Sequence, residues 1–567
     1  MNTKHLILII GILSVSLLLR IVNLDISPPA ITNDEVNAAY NSYSLATTGK
    51  DVSGQSWFKA AFLTPQNYTM TEFLAVAAVP WIKVFGLSMA SVRSWYAVLG
   101  ALTTGLLFLI TKKLTHNQAI AILSAGILAV MPWHIHFSRL GYDGMLALFW
   151  LLLGTTIILY AKSKTIFLAI PFYILSFHSY HAFKLIVAPF IIALVIYLSK
   201  TNAKKTIAIA LFVVIWMAIY LPLFQKYSAA QSRTDELLIN SEEVTKKVNR
   251  DRQNSLVYQP ITTVFSNKFT YSIRKITDNA FSFFSPNMLF LTGEGNTIFS
   301  THEHGLFYSF EIIFLIIGIH AIWRRNKRLA LFLICTILIA ILPSVLNVYN
   351  QAYALRSLAV TPWAAIVIAY GIYALVTSFK TNYIKKASII TITISYTLGL
   401  GNYLTIYHGL YPVNAASSYL LQDRILANYL QSVPKDQTAY IIGQEPRGYM
   451  LRYAFYSRTN PAIIQDQWFQ NEYKIDNVIF TSECKNASRG ITIVHKDKPD
   501  CIKEKLIERQ KLSDNNQIWI WQGDQECLQY ASDHTKFIYP KDKKSWQDIG
   551  KFTKVDLCKN WIIKREI

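Results

Sequence analysis

The chain has 567 residues, of which 52% are hydrophobic, 13% aromatic and only 16% charged. That is too apolar for a soluble protein of this length, and no phosphate-binding Gly-rich loop, GxGxxG run or zinc-type Cys/His spacing is present. The formal net charge of +21 reads as a topological signal of a membrane protein and not as evidence for a nucleic-acid partner.

Leu6 to Val22 is the first apolar span. A signal peptide would end on a small-x-small cleavage site; here Arg20, Asn23 and Asp25 stand at that end, so a retained helix is expected. Residues 23–93 form a polar-mixed first outer loop. Its early stretch, Thr32-Asn33-Asp34-Glu35-Val36-Asn37, sets two adjacent carboxylates where the chain has just left the membrane. Asn33 or Asp34 is placed to cap a helix beginning near Val36. Val36–Leu45 and Phe73–Phe85 carry apolar and aromatic residues at helical spacing, which predicts helices lying along the membrane surface.

Further spans are expected near 94–111, 118–133, 145–161, 165–177, 184–199 and 206–224. After a long polar outer loop at 225–305 come spans near 306–323, 329–346, 357–378 and 386–407, about eleven in all. Lys/Arg clusters at Lys112-Lys113, Lys162/Lys164, Lys200/Lys204/Lys205, Arg324-Arg325/Lys327-Arg328 and Lys380/Lys385-Lys386 follow every second span. Short basic loops are cytoplasmic. With Lys4 inside and 73–85 not crossing, the loops at 23–93, 134–144, 225–305 and 347–356 and the C-terminal region fall outside.

Around Ser417 the periodicity changes. Tyr419–Ser432 reads as an amphipathic helix, and Thr438–Gly443, Asn477–Ser482, Ile491–His495 and Gln517–Gln522 as short β-rich runs. The expected architecture is a polytopic α-helical membrane domain over 1–407 and a small extracytoplasmic α/β domain over 408–567. Cys335 lies in a span; Cys484, Cys501, Cys527 and Cys558 lie in the C-terminal region. An even number there fits disulfides in an oxidising compartment, with the local pairs Cys484–Cys501 and Cys527–Cys558 expected.

Five stretches carry residue types suited to chemistry. Asp34-Glu35 is the first: adjacent carboxylates raise one another's pKa, which suits a general base, although a solvated helix start looks the same. The second is Pro132-Trp133-His134-Ile135-His136-Phe137-Ser138-Arg139, then Tyr142-Asp143. An aromatic belt explains its rings but not Asp143, a carboxylate at the mouth of an apolar helix. The third is Phe177-His178-Ser179-Tyr180-His181-Ala182-Phe183-Lys184. His178 and His181 have helical metal-ligand spacing but no third ligand, and Lys184 also suits snorkelling to headgroups. The fourth runs from Leu289-Phe290-Leu291-Thr292-Gly293-Glu294 to His302-Glu303-His304, which is not a HExxH motif. The fifth is Tyr353-Ala354-Leu355-Arg356-Ser357, with Arg356 at the outer start of a span, suited equally to a phosphate clamp and an interfacial anchor.

Taken in order, these segments resemble the GT-C superfamily of membrane glycosyltransferases, in the family 39 group of protein O-mannosyltransferases and lipid A aminoarabinose transferases. Asn33-Asp34-Glu35 with Tyr40, Pro80-Trp81 to Val92-Arg93-Ser94, the 132–143 stretch, Leu289-Phe290-Leu291-Thr292-Gly293 and Ala354-Leu355-Arg356-Ser357-Leu358 carry the resemblance. The chain departs from it at Met70-Thr71-Glu72, where relatives have Lys-Pro-Pro, and at Tyr353, where a His is common. The resemblance implies a GT-C-like fold. It implies sugar transfer from a polyprenyl-phosphate carrier to a hydroxyl of a lipid, glycan or protein acceptor, outside the cytoplasmic membrane. Asp34 is then the general base, with Glu35 and Asp143 positioning acceptor, sugar or Asp34. Arg356, Lys184, Arg139 and His302 are the substrate and phosphate contacts. Direct displacement inverts the anomeric centre. No cofactor is specified, and the families differ in dependence on a divalent metal. A transporter or a non-catalytic receptor is the rival class; the outer clustering of charge and the lack of a repeat argue against it.

Overall fold

The computed structural model describes residues 3–57, 62–66, 71–161, 163–199, 203–225, 237–238, 242–349, 353–431, 433–484, 490–495, 516–521 and 562–565. Met70, Cys501, Cys527, Cys558 and much of 225–241 lie outside these residues. Two compact units emerge: residues 1–22 with 96–404, and residues 23–95 with 405–567. The first loop thus groups with the C-terminal region and not with the helices that flank it in sequence.

The first unit is helical. Among the described residues five helices are long and apolar enough to cross a bilayer: Met89–Thr115, Asp143–Tyr160, Lys327–Val345, Val360–Ser378 and Asn382–Leu410. The bent pair Gln118–Val130 and Pro132–Ser138 makes a sixth if taken as one span. His5–Ile21, Thr165–Ser179, Phe183–Leu198 and Ile207–Ile219 are shorter apolar helices, as is Phe73–Phe85 in the second unit. The chain is a polytopic helical membrane protein; the expected eleven spans require His5–Ile21, Thr165–Ser179, Phe183–Leu198, Ile207–Ile219 and Glu311–Arg325 to cross as well, and Phe73–Phe85 not to.

Glycine sets the closest packing. Cβ atoms built on Gly318 and Gly371 would come within 2.1 Å of the Val367 carbonyl oxygen and 2.0 Å of the Phe314 carbonyl oxygen. The helices Glu311–Arg325 and Val360–Ser378 therefore touch backbone to backbone. In lipid, where apolar burial gives no preference between tails and protein, such close contact holds helices together.

The 59° bend between Val130 and Pro132 has a chemical cause. Pro132 has no N–H for the Leu128 carbonyl, and the Trp133 N–H goes to the Leu306 carbonyl (3.0 Å) and not to Ala129. Arg20, fully buried in the last turn of the first helix, donates to both abandoned carbonyls: 3.1 Å to Leu128 and 2.9 Å to Ala129. Its Nη2 also meets His134 Nδ1 at 2.8 Å, while His134 Nε2 lies 3.0 Å from Thr103 Oγ1. A guanidinium only donates, so Nδ1 accepts and the proton of a neutral ring sits on Nε2.

The second unit is α/β. Its six-stranded sheet comprises β1 (Thr438–Ile442), β2 (Tyr473–Ile475), β3 (Val478–Thr481), β4 (Gly490–His495), β5 (Asn516–Trp521) and β6 (Ile562–Arg565). The strand order is β2-β3-β1-β4-β5-β6. The central neighbours β3, β1, β4 and β5 are parallel; β2 and β6 add antiparallel edges. Strands lie in all four runs read as β-rich; β2 and β6 were not expected. The helices Leu421–Leu430 and Pro446–Ser457 flank β1 in sequence.

The helix expected from Val36 to Leu45 runs from Asn33 to Thr48, and it does not lie on a lipid surface. Every residue from Glu35 to Ser42 is buried, with Ser44 and Leu45. Its polar side chains bond inward: Ser42 Oγ donates to the Ala75 carbonyl (2.7 Å), and Asn41 Oδ1 accepts from the Val52 N–H (3.2 Å). An interfacial helix would turn such groups to water, so the surface placement is corrected.

Candidate active site

The acidic pair of the first loop splits into two environments. The helix is capped by Thr32, not by Asn33 or Asp34. Thr32 Oγ1 accepts the Glu35 N–H (3.3 Å) and Glu35 Oε2 accepts the Thr32 N–H (3.1 Å), a reciprocal capping box. The Glu35 carboxylate is also the counter-ion of Arg93: Nε to Oε1 at 3.0 Å and Nη2 to Oε2 at 3.1 Å, with both side chains 0% exposed. Arg93 completes its fork on the carbonyls of Leu24 (3.0 Å), Pro28 (2.8 Å) and Ala30. Glu35 therefore fixes the start of the helix. Asp34, one residue earlier in the same turn, is exposed.

The C-terminal region supplies the other restraints. Arg424 Nη1 donates to the carbonyls of Asp25 (2.9 Å) and Pro29 (2.7 Å). Burial lowers the pKa of its guanidinium. The Tyr456 hydroxyl accepts the Ile31 N–H at 3.3 Å, and burial pushes its own pKa up to about 12. The Tyr40 hydroxyl donates to the Thr459 carbonyl at 2.7 Å. Arg452 Nη1 donates to Asn33 Oδ1 at 2.7 Å, directly beside Asp34.

In the first unit three sequence stretches are tied to one another. Trp133 Nε1 donates to the Ala354 carbonyl (2.9 Å), and His136 Nε2 lies 2.9 Å from the Ile298 carbonyl. Glu294, buried, accepts the N–H groups of Tyr353 (3.1 Å) and Ala354 (2.8 Å) and so starts the short turn Tyr353–Arg356. Arg356 stands half-buried at its end. The Tyr353 hydroxyl adds a bond to Asn279 Oδ1 (3.3 Å). Burial, then the Glu294 charge, raise the Tyr353 pKa, while Arg356 opposes them. A Cβ on Gly144 would lie 3.0 Å from Leu355 Cδ1, so the helix that begins at Asp143 packs against the Arg356 turn. His302 is exposed in the same loop as Glu294, with φ +56° and Nδ1 3.3 Å from the Glu294 carbonyl.

The other two expected contacts have partners of their own. Arg139 is fully buried, and its Nη1 donates to the carbonyls of Leu19 (3.1 Å) and Arg20 (3.2 Å), which end the first helix. These bonds cap the first helix. Lys184 stands in the first turn of the helix Phe183–Leu198 with Nζ 5.7 Å from the centre of the Phe177 ring, a cation–π contact. Among the described residues no group of three His, Cys, Asp or Glu is placed to hold a metal ion.

Reading the sequence alone missed Arg93, Glu294 and Arg452 as parts of these sites. Arg93 stood at the edge of an expected span, within the Val92-Arg93-Ser94 stretch quoted for the resemblance. Glu294 stood within a quoted motif. Nothing local marks Arg452.

No protein-family model and no curated protein sequence matches the chain. Among solved structures it is similar to the archaeal oligosaccharyltransferase AglB from Archaeoglobus fulgidus, in complex with an inhibitory peptide and a dolichol-phosphate. Identity is 15% and the TM-score 0.48; the match covers 80% of this chain and 64% of that one, so this chain spans 64% of its length. It is also similar to ArnT from Cupriavidus metallidurans bound to undecaprenyl phosphate, at 12% identity and TM-score 0.48, covering 96% of this chain and 97% of that one. The apo state of the same ArnT gives 11% and 0.43, covering 95% and 96%. At such scores a likeness of backbone is not a likeness of site or substrate.

Proposed function

We propose that this protein is a polyprenyl-phosphate-sugar-dependent glycosyltransferase of the GT-C type. It moves a sugar onto an acceptor hydroxyl at the outer face of the cytoplasmic membrane, with inversion, and Asp34 is its general base. The observation that carries the reading is the division of labour in one helical turn. Glu35 is locked to Arg93 and Thr32, while Asp34 is presented on the exposed side of that fixed turn. A base must be ionised, reachable and held still; the Glu35 anchor supplies the last condition. Arg356, on a turn fixed by Glu294, is the phosphate clamp, its planar fork suited to the leaving phosphate. Asp143, at the start of its helix beside that turn, orients the sugar or acceptor.

The order of the sequence motifs supports the reaction class, and the alternation of basic loops supports the orientation. Cys484 is disulfide-bonded whereas Cys335 is free, which supports an extracytoplasmic C-terminal region. The partner of Cys484 lies outside the described residues. On this reading the helices of 1–407 form the catalytic body and 408–567 an outer domain. The acceptor is a lipid, glycan or protein hydroxyl.

The test is incubation of the purified protein, reconstituted in lipid, with labelled polyprenyl-phosphate sugars, followed by identification of the labelled product. Asp34→Asn should lower turnover by roughly two to four orders of magnitude with donor binding unchanged. Arg356→Ala should weaken donor binding, and Arg356→Lys should restore only part of it. Near-normal turnover by Asp34→Asn removes Asp34 as the base.

A further inference from the structure

We infer that Arg452, in the C-terminal region, is a positioning residue for Asp34. The inference rests on the reading of Asp34 as the base, and it makes the C-terminal region a working part of the active site. Arg452 lies on the helix Pro446–Ser457 and is itself held on two sides. Its Nε pairs with Asp423 Oδ2 at 2.6 Å, and its guanidinium carbon stands 4.8 Å from the centre of the Tyr449 ring. Both Arg452 and Asp423 are more than nine-tenths buried. From this anchorage Nη1 reaches Asn33 Oδ1 at 2.7 Å.

Asn33 is the first residue of the helix and the immediate neighbour of Asp34. The turn is thus gripped on both sides of the candidate base. Glu35 is held by Arg93 from within the first loop, and Asn33 by Arg452 from a residue 419 positions away in sequence. A charge-assisted bond from a guanidinium already fixed by a carboxylate and a ring restrains direction as well as distance. Without it the exposed first turn keeps its Thr32 cap but loses the restraint on Asn33. Helix ends fray first, so Asp34 would sample more orientations and fewer would suit proton abstraction.

The test uses the full chain reconstituted in lipid and two readouts. Asn33→Ala removes the gripped oxygen at an exposed position, where misfolding is not expected. Arg452→Ala removes the grip, Arg452→Lys keeps only a charge, and Asn33→Asp keeps an acceptor. Arg447→Ala is the control. Arg447 lies on the same helix and has bonds of its own, to the Tyr473 hydroxyl (3.0 Å) and the Pro65 carbonyl (3.1 Å), but none is to Asn33.

Asn33→Ala and Arg452→Ala should each lower kcat roughly 10- to 100-fold, the scale for a misplaced catalytic group, with donor KM unchanged. Their combination should be no worse than the poorer single variant. In the Asp34→Asn background neither should lower the residual rate further. Asn33→Asp should recover most of the loss, and Arg447→Ala should keep the wild-type kcat. In parallel, amide hydrogen exchange at Glu35, Val36 and Asn37 should speed up in Asn33→Ala and Arg452→Ala. Unchanged exchange, or faster exchange with unchanged kcat, overturns the inference. So does a further loss in the Asp34→Asn background, which would place the effect elsewhere. Failure of the underlying reading looks different: the wild-type chain transfers no sugar, or Asp34→Asn transfers it normally.

Discussion

Arg20 and Arg93 are both fully buried arginines, one in each compact unit, and the protein solves their burial in different ways. Arg93 meets a carboxylate, Glu35, in a two-bonded pair and adds three carbonyls. Arg20 is held by backbone carbonyls of Ser16, Leu128 and Ala129, by a neutral imidazole and by the Ser138 hydroxyl. The first solution neutralises charge with charge. The second solvates charge with dipoles, and it is available only because a proline has released carbonyls from a helix. The lesson is that a buried cation need not imply a nearby acid; a broken helix serves as well.

The difference has measurable consequences. Arg93→Ala strands the Glu35 carboxylate in a dry site, so it should have the largest effect, a loss of about 3–5 kcal/mol by thermal unfolding of the solubilised protein. A second change, Glu35→Gln, removes the stranded charge while keeping an acceptor for the Thr32 N–H, and it should recover part of that loss. Arg20→Met strands dipoles instead, and should cost about 1–3 kcal/mol for the carbonyls left without donors. Equal losses for Arg93→Ala and Arg20→Met would erase the distinction between the two sites. Thr103→Val removes the acceptor of the His134 Nε2–H together with the hydroxyl donated to the Gly100 carbonyl (2.7 Å), and should cost least, about 1 kcal/mol. A loss as large as that of Arg20→Met would mean that the imidazole carries more of the Arg20 site than its one bond implies.

Much of the fold was legible because its signals are local. Apolar runs gave the helices, and β-rich runs gave β1, β3, β4 and β5. The capping box was legible too, in Thr32-x-x-Glu35, yet the reading chose Asn33 or Asp34 because both are good capping residues in isolation. The surface placement of the first-loop helix failed for a related reason. Helical spacing of Val36, Ala39, Tyr40 and Tyr43 predicts one apolar face, but partners reached through Asn41 and Ser42 bury the polar face as well. Among the residues read as candidates, Asp34, Asp143 and Arg356 announce themselves as charges beside apolar spans. The pairings that fix the turns of Asp34 and Arg356 do not. Glu35 and Arg93 are 58 positions apart, Glu294 and Ala354 are 60, and Asn33 and Arg452 are 419. No periodicity connects such distances; only folding does. Arg139 shows the converse, a charge in a suggestive motif that the fold uses to end a helix.

The bend at Pro132 also orders the making of the protein. Arg20 is synthesised with the first helix, but its carbonyl acceptors at Leu128 and Ala129 come 108 and 109 residues later. Until then its guanidinium has no dipoles of its own chain to replace water beyond the Ser16 carbonyl one turn away. The Arg20 site is therefore complete only once the broken helix is in place. The proline that bends one helix thus frees the carbonyls that hold another helix's arginine.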